Sequence, residues 1–246
     1  MSEPRFQFEQ VFDEDYLYFY EPWLTDEVSD AETEVIWRVL ELEAGTAVLD
    51  LGCGHGRIAN RLAARGCRVT GLDVTPLFLE RARGDAAERG VEVEYVQGDM
   101  RTLPWTERFD RALLWFTTFG YFGDEDNRRV LAEACASLRP GGRLAIELHN
   151  RDVYVRRMLP MTGSERDGDL LVDRHRFDVH SGRTFTERVV VRGGRVRKAE
   201  FSVRFFTFTE LRDWLLAAGF ARVDGYDADG GELTEETRRM IVVGTR

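Results

Sequence analysis

Between Ala47 and Leu148, short apolar runs alternate with helical stretches at a spacing that leaves few folds open. The runs are Ala47–Leu51, Arg68–Asp73, Val91–Val96, Phe109–Phe116 and Arg143–Leu148. Between them lie Ile58–Arg65, stopped by Gly66, then Pro76–Arg89 with Thr75 as cap and Gly90 as stop, and a stretch from a capping Asp124 to Leu138. Upstream, residues 29–43 open on Ser29 and place Val35, Ile36, Val39 and Leu40 on one helical face. Strands joined by helical crossovers run parallel, and the helices then cover both faces of the sheet. The sequence therefore predicts an α/β architecture.

After residue 150 the rhythm changes. Leu170–Val179, Thr184–Val191 and Val196–Phe208 are β-rich runs joined by Ser181-Gly182 and Gly193-Gly194, which are hairpin turns. They predict an inserted antiparallel meander that covers the open end of the sheet or pairs with a second copy as a homodimer. Thr209–Ala218 then reads as a helix ended by Gly219, with two last strands at Phe220–Tyr226 and Arg239–Gly244. The chain thus divides into an acidic, aromatic cap (1–45), a ligand-binding core (46–150), the inserted β cover (151–206) and a C-terminal completion of the core (207–246).

Charge narrows the partners. Residues 1–45 hold 13 acids against two arginines, although the whole chain of 246 residues carries only −10. Such a segment repels phosphates, so a nucleic-acid partner is not expected. No apolar run reaches the roughly 20 residues of a membrane span, and MSEPRFQFEQ lacks the parts of a signal peptide, which predicts a cytoplasmic protein without a membrane partner. Cys53, Cys67 and Cys135 lack C-x-x-C spacing, and His175 and His180 lack ligand spacing, so neither a disulfide framework nor a metal site is expected.

The chemistry concentrates in Leu49-Asp50-Leu51-Gly52-Cys53-Gly54-His55-Gly56, an acid two residues before G-x-G-x-G at the end of the first strand. Glycines there let backbone approach a ligand, and the next helix points free N–H groups at it. Asp73 ends the second strand, where a carboxylate can take both hydroxyls of a ribose; Asp99 ends the third, where it can accept from an adenine amine beside Met100.

These residues resemble the class I S-adenosylmethionine-dependent methyltransferases, from about Val35 to Leu148 and again in the closing helix and strands. LRPGGRLAI at Leu138–Ile146 and Phe109-Asp110-Arg111-Ala112 are similar to that family's entry to strand five and its strand-four motif. The resemblance implies a Rossmann-like, seven-stranded, mostly parallel sheet with an antiparallel last strand. It also implies S-adenosylmethionine as cofactor, held by Asp50, Gly52, Gly54, Gly56, Asp73, Val74, Asp99, Met100 and Trp115. The implied reaction moves a methyl group by in-line displacement to an O or N atom of a small molecule. Two alternatives stand beside it: a non-catalytic module on the same fold, and a nicotinamide dehydrogenase. The dehydrogenase fingerprint is G-x-G-x-x-G, whereas here the third glycine comes one residue early and Arg57 fills the sixth position.

Three residues are candidates for the reaction itself. His149 follows strand five at the ligand-binding edge and is expected as general base; Thr117, with Trp115, Phe116, Thr118, Phe119 and Tyr121, follows strand four and is expected to wall the pocket. Tyr20, in the aromatic run Tyr16–Tyr20 with Trp23 beyond it, is expected to close over the cofactor with its hydroxyl near the cofactor carboxylate. His55, inside the glycine loop, is expected to shield the cofactor or face solvent.

Overall fold

The computed structural model describes residues 6–246, so the first five residues of the expected cap lie outside it. Strand β1 (Ala47–Leu51) is buried along its whole length because it runs mid-sheet, between β2 (Arg68–Asp73) and β4 (Phe109–Leu114). Its side chains alternate between two cores. Ala47, Leu49 and Leu51 join the core that holds Val130, Leu131, Leu211 and Leu215, whereas Val48 joins the one that holds Ile36, Leu40 and Leu62. Those partners come from helices α5 (Asp124–Ser137) and α7 (Phe208–Ala217) on one side, and α2 (Asp26–Val39) with its C-cap Leu40 and α3 (Ala59–Ala64) on the other.

With β3 (Val93–Gln97), β5 (Leu138–His149), β10 (Arg222–Asp227) and β11 (Arg239–Thr245), the sheet has seven strands in the order β10-β11-β5-β4-β1-β2-β3. Only β11 runs against its neighbours, pairing antiparallel with both β5 and β10. The order reverses at β1 and β4, and such a reversal opens a crevice at the carboxyl ends of the strands.

The segment after β5 holds more than the expected meander. Helix α6 (Arg151–Arg157) precedes four antiparallel strands: β6 (Met161–Arg166), β7 (Asp169–Asp178), β8 (Arg183–Arg192) and β9 (Arg195–Arg204). Strand β6 escapes sequence reading because Met161-Thr-Gly-Ser-Glu-Arg166 has no buried member. The sheet is tied to the core where Arg204 N–H donates to Gly120 O at 2.8 Å and Arg151 N–H to Phe206 O at 3.1 Å. Helix α1 (Glu14–Tyr20) docks on its face, with Phe19 packed against Leu171 and Val190.

Several expected boundaries move. Helix α2 starts at Asp26 with Thr25 as cap, and Ser29 lies inside it, returning its hydroxyl to Thr25 O at 2.7 Å. Asp124 is the first residue of α5 after an extended Gly123, and α7 starts at Phe208 rather than Thr209, capped by Thr207 through a capping box with Glu210. Strand β4 stops at Leu114, because Phe116 and Thr117 turn to φ of 60° and 58°.

Candidate active site

The loop after β1 is fixed to the end of β2. Gly52 and Cys53 donate N–H bonds to Leu72 O at 2.7 and 3.0 Å, and Gly54 N–H donates to Asp73 Oδ2 at 2.8 Å. Asp73 Oδ1 accepts from Thr75 N–H, also at 2.8 Å. Gly52 (φ 69°) admits no side chain, since a Cβ would collide with Thr118 Cγ2 and lie 3.3 Å from Met100 Cε.

A cavity of about 900 Å³ opens at this edge. Asp50, Gly52, Gly54, Asp73, Val74, Asp99, Met100 and Trp115 line it, and so do Tyr20, Thr117 and His149. Gly56 is set apart: it is not on the wall, and its missing Cβ makes room for the Tyr95 hydroxyl and for Ala82 of α4 (Pro76–Arg89). Close packing of the loop on α4, rather than approach to a ligand, explains that glycine.

The carboxylates at this end are not equivalent. Asp50 is buried and accepts no hydrogen bond from the described residues; burial first, then the charge of Asp73, pushes its pKa up to about 7, against a smaller pull from Arg57. A buried, unpartnered carboxylate next to a second acid is stabilised by an incoming cation. Asp73 is also raised by burial, although its backbone hydrogen bonds oppose this. Asp99 departs from expectation, since Arg101 clasps it through Nη2 at 2.6 Å and Nε at 3.0 Å and so holds its pKa down. Arg101 in turn reaches Asp126 at 2.8 Å. His55 also lines the cavity; burial and then Arg57 lower its pKa to about 4, which keeps it neutral. These residues fit a group with a cationic amine and a ribose: a glycine cradle that a Cβ would fill, an unpartnered Asp50 and a second carboxylate 23 residues later.

Strand β5 contributes the far wall. Glu147, buried, accepts Phe116 N–H at 3.0 Å and receives Arg239 of β11 through both Nε and Nη2. The same guanidinium donates to Thr117 Oγ1 at 2.7 Å and faces His149 Nε2 at 3.0 Å. Thr117 is therefore a held hydroxyl. His149 is half-buried, and loss of solvent around the ring first, then Arg239, takes its pKa down to about 3. That leaves it a weak base, contrary to its expected role.

The inserted sheet supplies the remaining wall. Arg188 on β8 binds Asp173 on β7 through Nε at 2.8 Å and Nη2 at 2.7 Å, and Nη2 also donates to the Tyr20 hydroxyl at 3.1 Å. Tyr20 is thus turned toward the inserted sheet, stacked on Tyr16 at 4.3 Å. Sequence reasoning missed Glu147, Asp173, Arg188 and Arg239. A charged residue on the buried period of an alternating strand was the available sign: Thr184, Thr186, Arg188 and Val190 all point inward.

A family profile described as "Methyltransferase domain" matches residues 48–142. The chain is 32% identical over 181 residues to demethylmenaquinone methyltransferase of Thermus thermophilus, covering 68% of this chain and 79% of that protein. The chain belongs to the class I S-adenosylmethionine-dependent methyltransferases. It shares its fold with the CcbJ methyltransferase of Streptomyces caelestis (TM-score 0.81, 23% identity, 97% and 98% of the two chains). It is also similar to CalS10 of Micromonospora echinaspora, an amino pentose methyltransferase solved with S-adenosylmethionine bound (TM-score 0.68, 25% identity, 97% and 99% covered). Against two other curated methyltransferases it spans about half of their length, 51% and 57%. As a family member this chain takes S-adenosylmethionine as its methyl donor, and neither the dehydrogenase nor the non-catalytic reading is favoured.

Proposed function

We propose that the chain methylates a neutral amine nitrogen of a small molecule. The observation that carries this reading is the continuity of one cavity from Asp50 and Gly54 to Thr117, His149 and Arg188. At the acceptor end the carboxylates Glu147 and Asp173 are both bound by arginines, and His149 is a weak base. A phenol or alcohol needs its proton removed during attack, whereas a neutral amine presents its lone pair directly. The amino pentose substrate named for CalS10 supports a nitrogen acceptor.

When bound, S-adenosylmethionine supplies an electrophilic methyl group on a sulfonium with a neutral thioether as leaving group. Asp50 is assigned to the ammonium of its methionine part, Gly52 and Gly54 to backbone approach, Asp73 to the ribose, and Met100 with Asp99 to the adenine end. Val74 and Trp115 complete the wall. The remaining residues align the acceptor and exclude water, and alignment of two reactants supplies ~7–11 kcal/mol of a barrier. Thr117 and His149 act here by position, and Tyr20 by anchoring the cap. The proton left on the product amine passes to solvent.

We read residues 1–45 as a cap, 46–150 and 207–246 as the catalytic core, and 151–206 as its cover. Three free, buried cysteines support a cytoplasmic setting, and no helix among the described residues is long and apolar enough to cross a membrane. Calorimetry with S-adenosylhomocysteine and with NADH, followed by a screen of amines and phenols for S-adenosylhomocysteine release, tests the reading. Binding of NADH alone overturns the cofactor; turnover of phenols without amines overturns the nitrogen acceptor.

A further inference from the structure

The inserted sheet carries a polar device that the methyl-donor end of the cavity does not use. Arg188 is 5% exposed, and its partner Asp173 stands directly opposite in the β7–β8 register. Burying such a pair costs several kcal/mol of desolvation per ion, and a wall meant only to exclude water is served better by apolar residues. The pairing also uses one edge of the guanidinium alone: Nε and Nη2 are bound, while Nη1 has no partner among the described residues. Tyr20 and Phe201 flank the group, with ring centres 5.7 and 5.2 Å from its central carbon. On the same strand Thr184, 3% exposed and on the cavity wall, makes no hydrogen bond of normal geometry through its Oγ1, although the Tyr154 hydroxyl on the same wall lies within its reach. An unmade hydrogen bond at a buried site is costly, so Thr184 Oγ1 beside a guanidinium edge with no protein partner marks a place where a ligand completes the set.

We propose that Arg188 Nη1 and Thr184 Oγ1, with Arg188 fixed by Asp173 and Tyr20 on the inner face of the inserted sheet, form the acceptor-reading subsite for the uncharged oxygen groups of a ring. This rests on the methyltransferase reading of the cavity. The charge of Arg188 is already matched by Asp173, so a carboxylate or phosphate placed there would be buried without a counter-charge. An oxygen of a hydroxyl, ether or carbonyl takes the Nη1 donors without that penalty. The flat faces of Tyr16, Tyr20 and Phe201 suit a ring rather than a flexible chain.

The test uses the full chain saturated with S-adenosylhomocysteine and three probes, glucosamine, glucosamine phosphate and cyclohexylamine, with affinities measured by ligand-observed NMR. Binding of S-adenosylhomocysteine, measured first, tests the methyltransferase reading separately. Glucosamine is expected to bind at least about fivefold more tightly than the other two, the change that one ordinary hydrogen bond brings. Thr184→Val matches the shape of threonine and removes at most a weak contact with Tyr154, so it keeps the fold, and Arg188→Lys keeps the ion pair while removing the Nη1 fork. Each is expected to weaken glucosamine by about fivefold and to leave S-adenosylhomocysteine unchanged. Equal binding of the three probes, no binding of glucosamine, tighter binding of the phosphate, or an unaltered glucosamine affinity in both variants overturns the subsite.

Discussion

Arg239 holds Nη1 3.0 Å from His149 Nε2, which fixes what that histidine can do. A guanidinium only donates, so Nε2 is the lone-pair nitrogen and the ring proton sits on Nδ1. With the ring half-buried and the guanidinium beside it, the charged form is disfavoured down to about pH 3. The expected outcome is an imidazole that stays neutral from pH 5 to 9 in NMR, with no ionisation near 6.5 in the turnover profile. Arg239→Met should restore titration toward the ordinary value of about 6.5. A wild-type titration near that value would return His149 to the role of base. The sign for stability follows, because the folded pKa lies below the unfolded one. The unfolded chain then takes up the proton first as pH falls below about 6.5, so His149, like His55 with its pKa near 4, favours unfolding progressively in acid.

Asp50 gives the opposite case. Its folded pKa, about 7, lies above that of the unfolded chain, so stability is lost as pH rises from about 4 through 7. Asp50→Asn should therefore raise the melting temperature of the ligand-free protein at pH 8. The same change should weaken S-adenosylhomocysteine about ten- to a hundredfold, the range for a lost charge-assisted hydrogen bond. A variant that is both less stable and unimpaired in binding would make Asp50 a structural acid.

How much of this could be read from the sequence depends on range. Strands β1 and β2 and helix α4 are found where periodicity, Thr75-Pro76 and Gly90 place them, because those signs are local. Asp50, Gly52, Asp73 and Asp99 lie at strand ends, and a parallel sheet brings all strand ends to one edge. Arg239, Glu147, Arg188 and Asp173 belong to pairs that form only after distant segments meet: Glu147 and Arg239 are 92 residues apart, and Arg188 reaches Tyr20 across 168. A window of sequence can flag a charge on the buried period of a strand, as at Arg188, but not the partner that it meets. The surroundings of His149 are out of reach of the sequence for the same reason, since Arg239 lies 90 residues away.

Gly52→Ala tests the cradle. The new methyl group would press on Thr118 at a φ of 69°, where side chains are strained. We expect a loss of about 1–3 kcal/mol in stability and weakened binding of S-adenosylhomocysteine. Gly56→Ala should cost stability too, but through Tyr95 and Ala82, and folded protein should bind S-adenosylhomocysteine nearly as wild type. Equal binding losses in both variants would argue against separate roles.

The acidity of the first 45 residues finds its answer in arginines elsewhere. On α1, Asp15 binds Arg192 and Arg197 at 2.9 and 2.6 Å, and Asp13 binds Arg197 at 2.5 Å; beyond it Glu21 meets Arg166 at 2.9 Å. Arg192 also lies 4.0 Å from the centre of the Tyr18 ring. These contacts hold the helix that brings Tyr16 and Tyr20 into the cavity, yet the charges are partly exposed and each pair is worth at most about 1 kcal/mol. Salt shortens the Debye length from about 10 Å at 0.1 M to about 3 Å at 1 M, so this attachment should loosen while the apolar core does not. Raising the salt concentration is expected to speed proteolysis within residues 6–25 and to raise the acceptor KM, with the melting temperature nearly constant. Asp15→Asn should reproduce both effects at low salt. If proteolysis and KM are independent of salt and of Asp15, the helix is held by Phe19, Leu171 and Val190 alone, and the acidic segment serves some end other than closing the cavity.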